Sequence, residues 1–129
     1  MNIFFISGTD TNVGKTEITC GLMRLFSNQN KIVMGMKPIS AGIEKIGEKY
    51  LNQDVDKIIK ESSISTELSK INTYSFNQPI APHITAAKLH CKIDFDLIKN
   101  NLNYIKKKSD FVFIEGAGGH EVPVDKSRT

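Results

Sequence analysis

The segment Gly8-Thr9-Asp10-Thr11-Asn12-Val13-Gly14-Lys15-Thr16 constrains the chain more than any other feature. It lies between an apolar run and a helical pattern. Residues 2–7 read NIFFIS, continuous rather than alternating, which suits a strand buried on both faces of a parallel sheet. Ile18, Leu22, Leu25 and Phe26 recur at helical spacing and predict a helix over residues 15–27. A strand, a Gly-Lys-Thr loop and a helix, in that order, make a cradle for a nucleoside triphosphate. Backbone N–H groups wrap the phosphates and the helix N-terminus points at them. Gly14 lets the backbone approach closely, Lys15 reaches the β- and γ-phosphates, and the Thr16 hydroxyl ligates Mg²⁺. The generic pattern has four residues between its glycines, and five separate Gly8 from Gly14. The plainer alternative is a glycine turn followed by a chance Lys-Thr.

The rest of the chain continues the alternation. Residues 32–37 predict a second strand, ended by Pro38, and residues 39–50 read as loop. Asp54 to Glu61 predicts a short helix with Val55, Ile58 and Ile59 on one side. Residues 71–83 contain Pro79 and Pro82 and read as irregular. Asp94 is a suitable N-cap for a helix over 95–107, with Ile98, Leu102 and Ile105 on one face. Phe111 to Glu115 predicts a third strand, with Gly116, Gly118 and Gly119 in the turn behind it. Strands alternating with helices imply an α/β fold with a mostly parallel sheet. The segment 121–129 has no core-building pattern, so the chain reads as the front part of a larger domain, incomplete at its C-terminus.

Composition narrows the function classes. With 40% hydrophobic and 24% charged residues, 129 residues suit one core, not two. The longest apolar runs have four residues, against about 20 for a membrane span, and no secretory signal precedes them. Cys20 and Cys91 read as reduced thiols of a cytoplasmic protein, Cys20 as a small packed residue. The net charge of +3 says little about polyanions. Fifteen of the 17 basic residues are Lys, so any one Lys is weak evidence of function. The run Lys106-Lys107-Lys108 lacks the interleaved Arg and aromatic residues of a nucleic-acid patch and suits a helix C-terminus. His83, His90 and His120 are dispersed without metal-ligand spacing.

Three further positions bear on chemistry. Glu115 ends a buried strand, at the edge where open α/β sheets bind ligands, and can hold or orient Mg²⁺. The alternative is an acid at a solvated strand end. Lys37, in Met36-Lys37-Pro38-Ile39-Ser40-Ala41-Gly42, also ends a strand and could neutralise charge on a transferred phosphoryl group. Asp54 and Asp56 open a helix, where acids suit the dipole, and either could ligate a metal.

The segments GTDTNVGKT, MKPISAG, QDVD, PIAPHITAA, IDFDLI and IEGAGG, in this order, resemble the dethiobiotin synthetase family from Ile3 to about Pro123. The five-residue spacing in the phosphate loop is that family's own pattern. The resemblance implies a single domain over residues 1–129 with a three-layer fold like that of the P-loop NTPases. It implies a cytoplasmic, homodimeric ligase of biotin biosynthesis, with partners 7,8-diaminopelargonate, CO₂ and ATP, Mg²⁺ as cofactor, and neither nucleic acid nor membrane. An amine would take up CO₂ as a carbamate, which attacks the γ-phosphate to give a carbamic-phosphoric anhydride. The second amine would close the ring, leaving dethiobiotin, ADP and phosphate.

The same resemblance implies that Asn12, Val13, Gly14, Lys15, Thr16 and Glu17 line the ATP phosphates. Gly116, Ala117 and Gly118 would complete the nucleotide site, and Thr16, Asp54 and Glu115 would ligate Mg²⁺. Lys15 and Lys37 would face the carbamate and the transferred phosphoryl group, with Thr11 near the carbamate and Ala41 at the substrate. Asp56 reverts to helix charge. In the family a hydroxyl residue normally precedes the glycine of the Lys-Pro segment. Here that residue is Ala41, with Ser40 one place earlier. The alternatives are another P-loop ATPase, such as a cobyrinic-acid amidating synthase or a partitioning ATPase, or a truncated remnant that at most binds nucleotide. The Lys-Pro and Pro-Ile-Ala-Pro-His segments count against the first.

Overall fold

A computed structural model describes residues 2–6, 14–76 and 93–116. Among the described residues the main sheet has three parallel strands, β1 (Asn2–Ile6), β2 (Val33–Met36) and β7 (Phe111–Glu115), in the order β1-β7-β2. The last strand in sequence is therefore the middle one in space. Ile6 is level with Glu115, and Met36 with Ile114. All three strands end at one edge.

Helix α1 (Lys15–Ser27) connects β1 to β2. Its bounds match the sequence reading. Ile18 and Leu25 are exposed, whereas Lys15, Thr16, Thr19, Cys20 and Met23 are buried. The inward face follows the i, i+3, i+4, i+7 pattern from Thr16, since Lys15 and Thr16 must both reach the sheet edge. Helix α2 (Gln53–Glu61) buries Val55 and Ile58 but leaves Ile59 exposed, so only two of its three expected apolar contacts form. It packs against α1 and β2. Two ion pairs link the helices, Arg24 to Glu61 at 3.0 Å and Lys57 to Glu17 at 2.8 Å.

Strand alternation separates two apolar layers. Val33 and Phe113 pack with Met23 of α1. Met34 and Val112 join a cluster with Ile71 of α3 (Leu68–Ile71) and Ile105 of α4 (Phe95–Lys106). Helices thus cover both faces of β7, and the expected α/β fold with a mostly parallel sheet is the one observed. Asp94 caps α4 by accepting from the Asp96 and Leu97 N–H groups at 2.9 and 3.2 Å. The outer edge of β2 is closed by the serines after α2. Ser63 Oγ accepts from Val33 N at 2.9 Å and Ser62 Oγ from Gly35 N at 3.2 Å.

Three local expectations are corrected. Strand β1 is not buried on both faces: Ile3, Phe4 and Phe5 are all exposed, Phe5 at 64%. Among the described residues it is an edge strand, and the described helices lie over β7 and β2, leaving Phe26 stacked on Phe4 as its aromatic cover from α1. Residues 39–50 are not simply loop. They hold β3 (Ile39–Ala41) and the antiparallel pair β4 (Glu44–Ile46) and β5 (Lys49–Leu51). Within the stretch read as irregular, β6 (Tyr74–Phe76) pairs in parallel with β3. These strands have three residues each, too short for a period-2 pattern to register. His83, His90, Cys91, His120, the segment 121–129 and the glycines after Gly116 lie outside the described residues.

Candidate phosphate and magnesium site

The site lies at the carboxyl edge of the main sheet. Gly14 has φ 79° and ψ 25°, a left-handed conformation that favours glycine, immediately before α1. Its carbonyl accepts from Ile18 N at 3.1 Å and starts the helix. This fixes Lys15 and Thr16 in the first turn, with both side chains turned toward the end of β7.

Glu115 is 1% exposed and receives two partners. The Thr16 hydroxyl lies 2.8 Å from Oε1 and 3.0 Å from Oε2. Lys37 Nζ donates to Oε1 at 3.1 Å and also to Asp54 Oδ2 at 3.3 Å. A buried ammonium therefore stands between two carboxylates, one on β7 and one on α2. Lys15 Nζ reaches the Gly116 carbonyl at 3.3 Å. Burial lowers the Lys15 ammonium from its ordinary value, and the neighbouring Lys37 charge adds to this, against the opposing pull of Glu115 and Asp54. Lys15 and Thr16 of α1, Lys37 just past β2, Asp54 of α2 and Glu115 of β7 thus form one polar cluster.

The other expected site residues fall as follows. Glu17 lies one residue past the cluster, but its carboxylate pairs with Lys57 on α2. Asp56 pairs with Lys60 one turn on, at 2.8 Å, and stays out of the cluster. Ala41 ends β3, and its carbonyl accepts from Asn52 Nδ2 at 3.1 Å. Ser40 is fully buried and its hydroxyl donates to Asn72 Oδ1 at 3.3 Å, so it does not stand in for a hydroxyl at position 41. Gly116 is described, and its N–H donates to the Ile6 carbonyl at 3.3 Å, joining the two strand ends. Thr11, Asn12, Val13, Ala117 and Gly118 lie outside the described residues.

Two buried asparagines were missed by sequence reasoning. Asn52 caps α2 through the Asp54 and Val55 N–H groups, at 2.9 and 3.2 Å, and donates to the Ala41 and Gly42 carbonyls. It ties Asp54 to the segment after Lys37. A cap residue just before an acidic first turn was the available signal. Asn72 donates to the Lys37 carbonyl at 2.8 Å, a contact across 35 residues that no local pattern announces.

The donor set is oxygen-rich. A hydroxyl and two carboxylates suit a hard cation such as Mg²⁺, which usually takes one or two carboxylates and keeps water and phosphate as its remaining ligands. Among the described residues no group of three or more His, Cys, Asp and Glu side chains converges on a metal position. Also among the described residues, no helix is long and apolar enough to cross a membrane.

Comparison with known proteins bears on the same residues. The chain is 43% identical over 122 residues to a Nitrosospira multiformis protein named ATP-dependent dethiobiotin synthetase BioD, covering 95% of this chain and 52% of that protein. Proteins of the same name are 36% identical in Aromatoleum aromaticum, over 94% of this chain and 54% of theirs, and 37% identical in Wigglesworthia glossinidia brevipalpis, over 98% and 56%. The chain spans about half the length of the curated relatives it matches. A family model described as AAA domain matches residues 2–129. Since that match takes in the strand before the loop, the Gly-Lys-Thr turn and every member of the polar cluster, the chain belongs to the AAA domain family.

Proposed function

We propose that the protein acts as an ATP-dependent dethiobiotin synthetase, a ligase that closes a ureido ring on 7,8-diaminopelargonate with CO₂. The observation that carries this reading is the Lys37 ammonium held between Asp54 and Glu115, beside Lys15 and Thr16. Two ammonium groups at the mouth of a phosphate loop suit a transferred phosphoryl group, because that chemistry depends on positioning and charge neutralisation. The similarity to proteins carrying this name over nearly the whole chain supports the substrate assignment.

On this reading Gly14, Lys15, Thr16 and Glu17, with Asn12 and Val13 before them, surround the ATP phosphates. Gly116, Ala117 and Gly118 belong to the nucleotide site. Thr16, Asp54 and Glu115 would hold Mg²⁺, which when bound neutralises phosphate oxygens. Thr11 lies beside the carbamate and Ala41 beside the substrate. One substrate amine adds to CO₂ and loses a proton, giving a carbamate. A carbamate oxygen attacks the γ-phosphorus and ADP leaves, giving a carbamic-phosphoric anhydride. The second amine attacks the carbamoyl carbon and releases a proton to solvent, phosphate leaves, and the ring closes. The Lys37 and Lys15 side chains face the charge that moves between carbamate and phosphoryl oxygens. Residues 1–129 count as one P-loop domain, which we assign to a cytoplasmic homodimer that binds neither nucleic acid nor membrane.

The test is incubation with diaminopelargonate, bicarbonate and MgATP, followed by mass spectrometry of the product and ADP quantification. Dethiobiotin and ADP in equal amounts support the reading. ATP hydrolysis indifferent to diaminopelargonate points to another P-loop ATPase. Nucleotide binding without ring closure leaves the narrower reading of a nucleotide-binding chain.

A further inference from the structure

Lys37 owes its position to a segment far along the chain. Its neighbour Pro38 lacks an N–H and stops the β2 ladder. Lys37 therefore lies just past the last paired residue, Met36, and its main chain must find partners elsewhere. Both partners come from the junction of α3 and β6. The Ile71 carbonyl accepts from Lys37 N at 2.9 Å, and the Lys37 carbonyl accepts from Asn72 Nδ2 at 2.8 Å.

Asn72 is suited to this task by its surroundings. It is buried, and its amide nitrogen also donates to the Tyr74 carbonyl at 3.1 Å. Carbonyls only accept, so these two contacts require the NH₂ end of the amide to face them. The Ser40 hydroxyl then donates to the remaining Oδ1 at 3.3 Å and holds the amide in that orientation. On the other side of Pro38, the Pro38 carbonyl accepts from Tyr74 N at 2.8 Å. The Lys37–Ser40 turn is thus fastened to residues 71–74 at four points.

We infer that Asn72, oriented by Ser40, is a positioning residue for Lys37: it fixes the peptide from which the ammonium reaches between Asp54 and Glu115. The consequence for phosphoryl binding rests on the function proposed above, but the placement of Lys37 does not. Held this way, Lys37 is 5% exposed and points at two carboxylates. Without the Asn72 amide, the Lys37 carbonyl has lost its donor in a buried place, and the turn must shift to find another.

The test uses the full chain and reads each lysine separately, by reductive methylation and peptide mass spectrometry. Asn72→Leu keeps the bulk of the side chain and removes both donors. Ser40→Ala removes only the orienting hydroxyl. Methylation of Lys37 relative to exposed Lys31 is expected to rise about fivefold in Asn72→Leu, the scale of one net hydrogen bond, and by less in Ser40→Ala. Lys15 shares the cluster but stands on α1, so its rate is expected to stay unchanged. An unaltered Lys37 rate would overturn the inference, and so would a parallel rise at Lys15, which signals general loosening. Should Asn72→Leu fail to fold cooperatively, Ser40→Ala decides by the same ratio.

Calorimetric titration with inorganic triphosphate separates the two layers of the argument. If the unaltered protein binds no triphosphate, the proposed function fails while the methylation result still judges Asn72. If it binds, Asn72→Leu is expected to weaken binding by about fivefold. A reactive Lys37 with undiminished triphosphate affinity would overturn the link between placement and binding.

Discussion

Lys37 and Glu115 form a buried ion pair at 3.1 Å, across the carboxyl ends of two adjacent parallel strands. They follow the paired Met36 and Ile114, and the Ile71 and Asn72 contacts hold the Lys37 peptide at that point. Breaking a buried pair from one side leaves the other charge stranded, which costs about 3–5 kcal/mol. Lys37→Met is therefore expected to lower stability by about 3 kcal/mol. Asp54 and Glu115 would then face each other without a cation. Millimolar Mg²⁺ is expected to raise the melting temperature of Lys37→Met more than that of the unaltered protein. Equal shifts in both would argue that the two carboxylates do not hold the ion.

Asp54 and Asp56 are two residues apart and have different surroundings. Asp54 meets the Lys37 ammonium, whereas Asp56 pairs with Lys60 along the helix. Asp54→Asn is expected to reduce Mg²⁺-dependent nucleotide affinity by about tenfold, the loss of one charge-assisted contact. Asp56→Asn removes an i,i+4 helix pair worth about 0.2–0.5 kcal/mol and should leave nucleotide affinity unchanged. Titration of both variants with MgATP checks the contrast, and equal losses would remove Asp54 from the site.

The contrast between these residues indicates how far a sequence can be read. Gly14, Lys15, Thr16 and Glu115 were legible because a phosphate loop and a strand end are local patterns with fixed geometry. Lys37 and Asp54 were ambiguous by physics alone, because Lys is abundant and an acid opening a helix has a plain role. The resemblance to a known family singled them out, and the structure brings both to Glu115. The spacing of Ile18 and Leu25 marked α1 as a helix without fixing which face it buries. Anchoring Thr16 at Glu115 turns them outward. Asn72 was invisible because its partners are Lys37, Ser40 and Tyr74, on three separate segments.

Gly35 in β2 is a packing requirement that composition does not suggest. A Cβ there would overlap the Ile58 Cγ2 methyl of α2 and stand 3.1 Å from Met23 Cε and Sδ of α1. The bare backbone lets both helices lie close to the strand. Gly35→Ala is expected to cost about 1–3 kcal/mol through overpacking. Ile58→Val keeps both γ carbons, the overlapped Cγ2 among them, so the informative partner is Ile58→Ala, which vacates the space. The double variant is expected to be more stable than the sum of its single losses, because the two sites touch. Urea midpoints of the four proteins test this, and strict additivity would contradict it.

Cys20 makes stability depend on pH in the alkaline range. Burial pushes its thiol up to about 11 from the ordinary value of 9.0, and the nearby Glu61 and Glu115 carboxylates add to the shift. The folded chain therefore keeps a proton that the unfolded chain releases as pH rises between 9.0 and about 11. In that window the unfolded state binds fewer protons, so stability falls as pH rises. Below 9.0 both states hold the proton and Cys20 contributes no slope. Cys20→Ala removes this contribution while leaving every lysine in place. The difference in urea midpoint between Cys20→Ala and the unaltered protein is expected to be flat below 9.0 and to move in favour of the variant above it. The same shift predicts a thiolate fraction roughly a hundredfold below that of a free cysteine near neutral pH, since two pH units separate the two values. Alkylation at Cys20, mapped by peptide mass spectrometry, should accordingly be slow in the folded protein and become fast in urea. Rapid alkylation without denaturant would show the thiol to be open and would remove the basis for the alkaline slope.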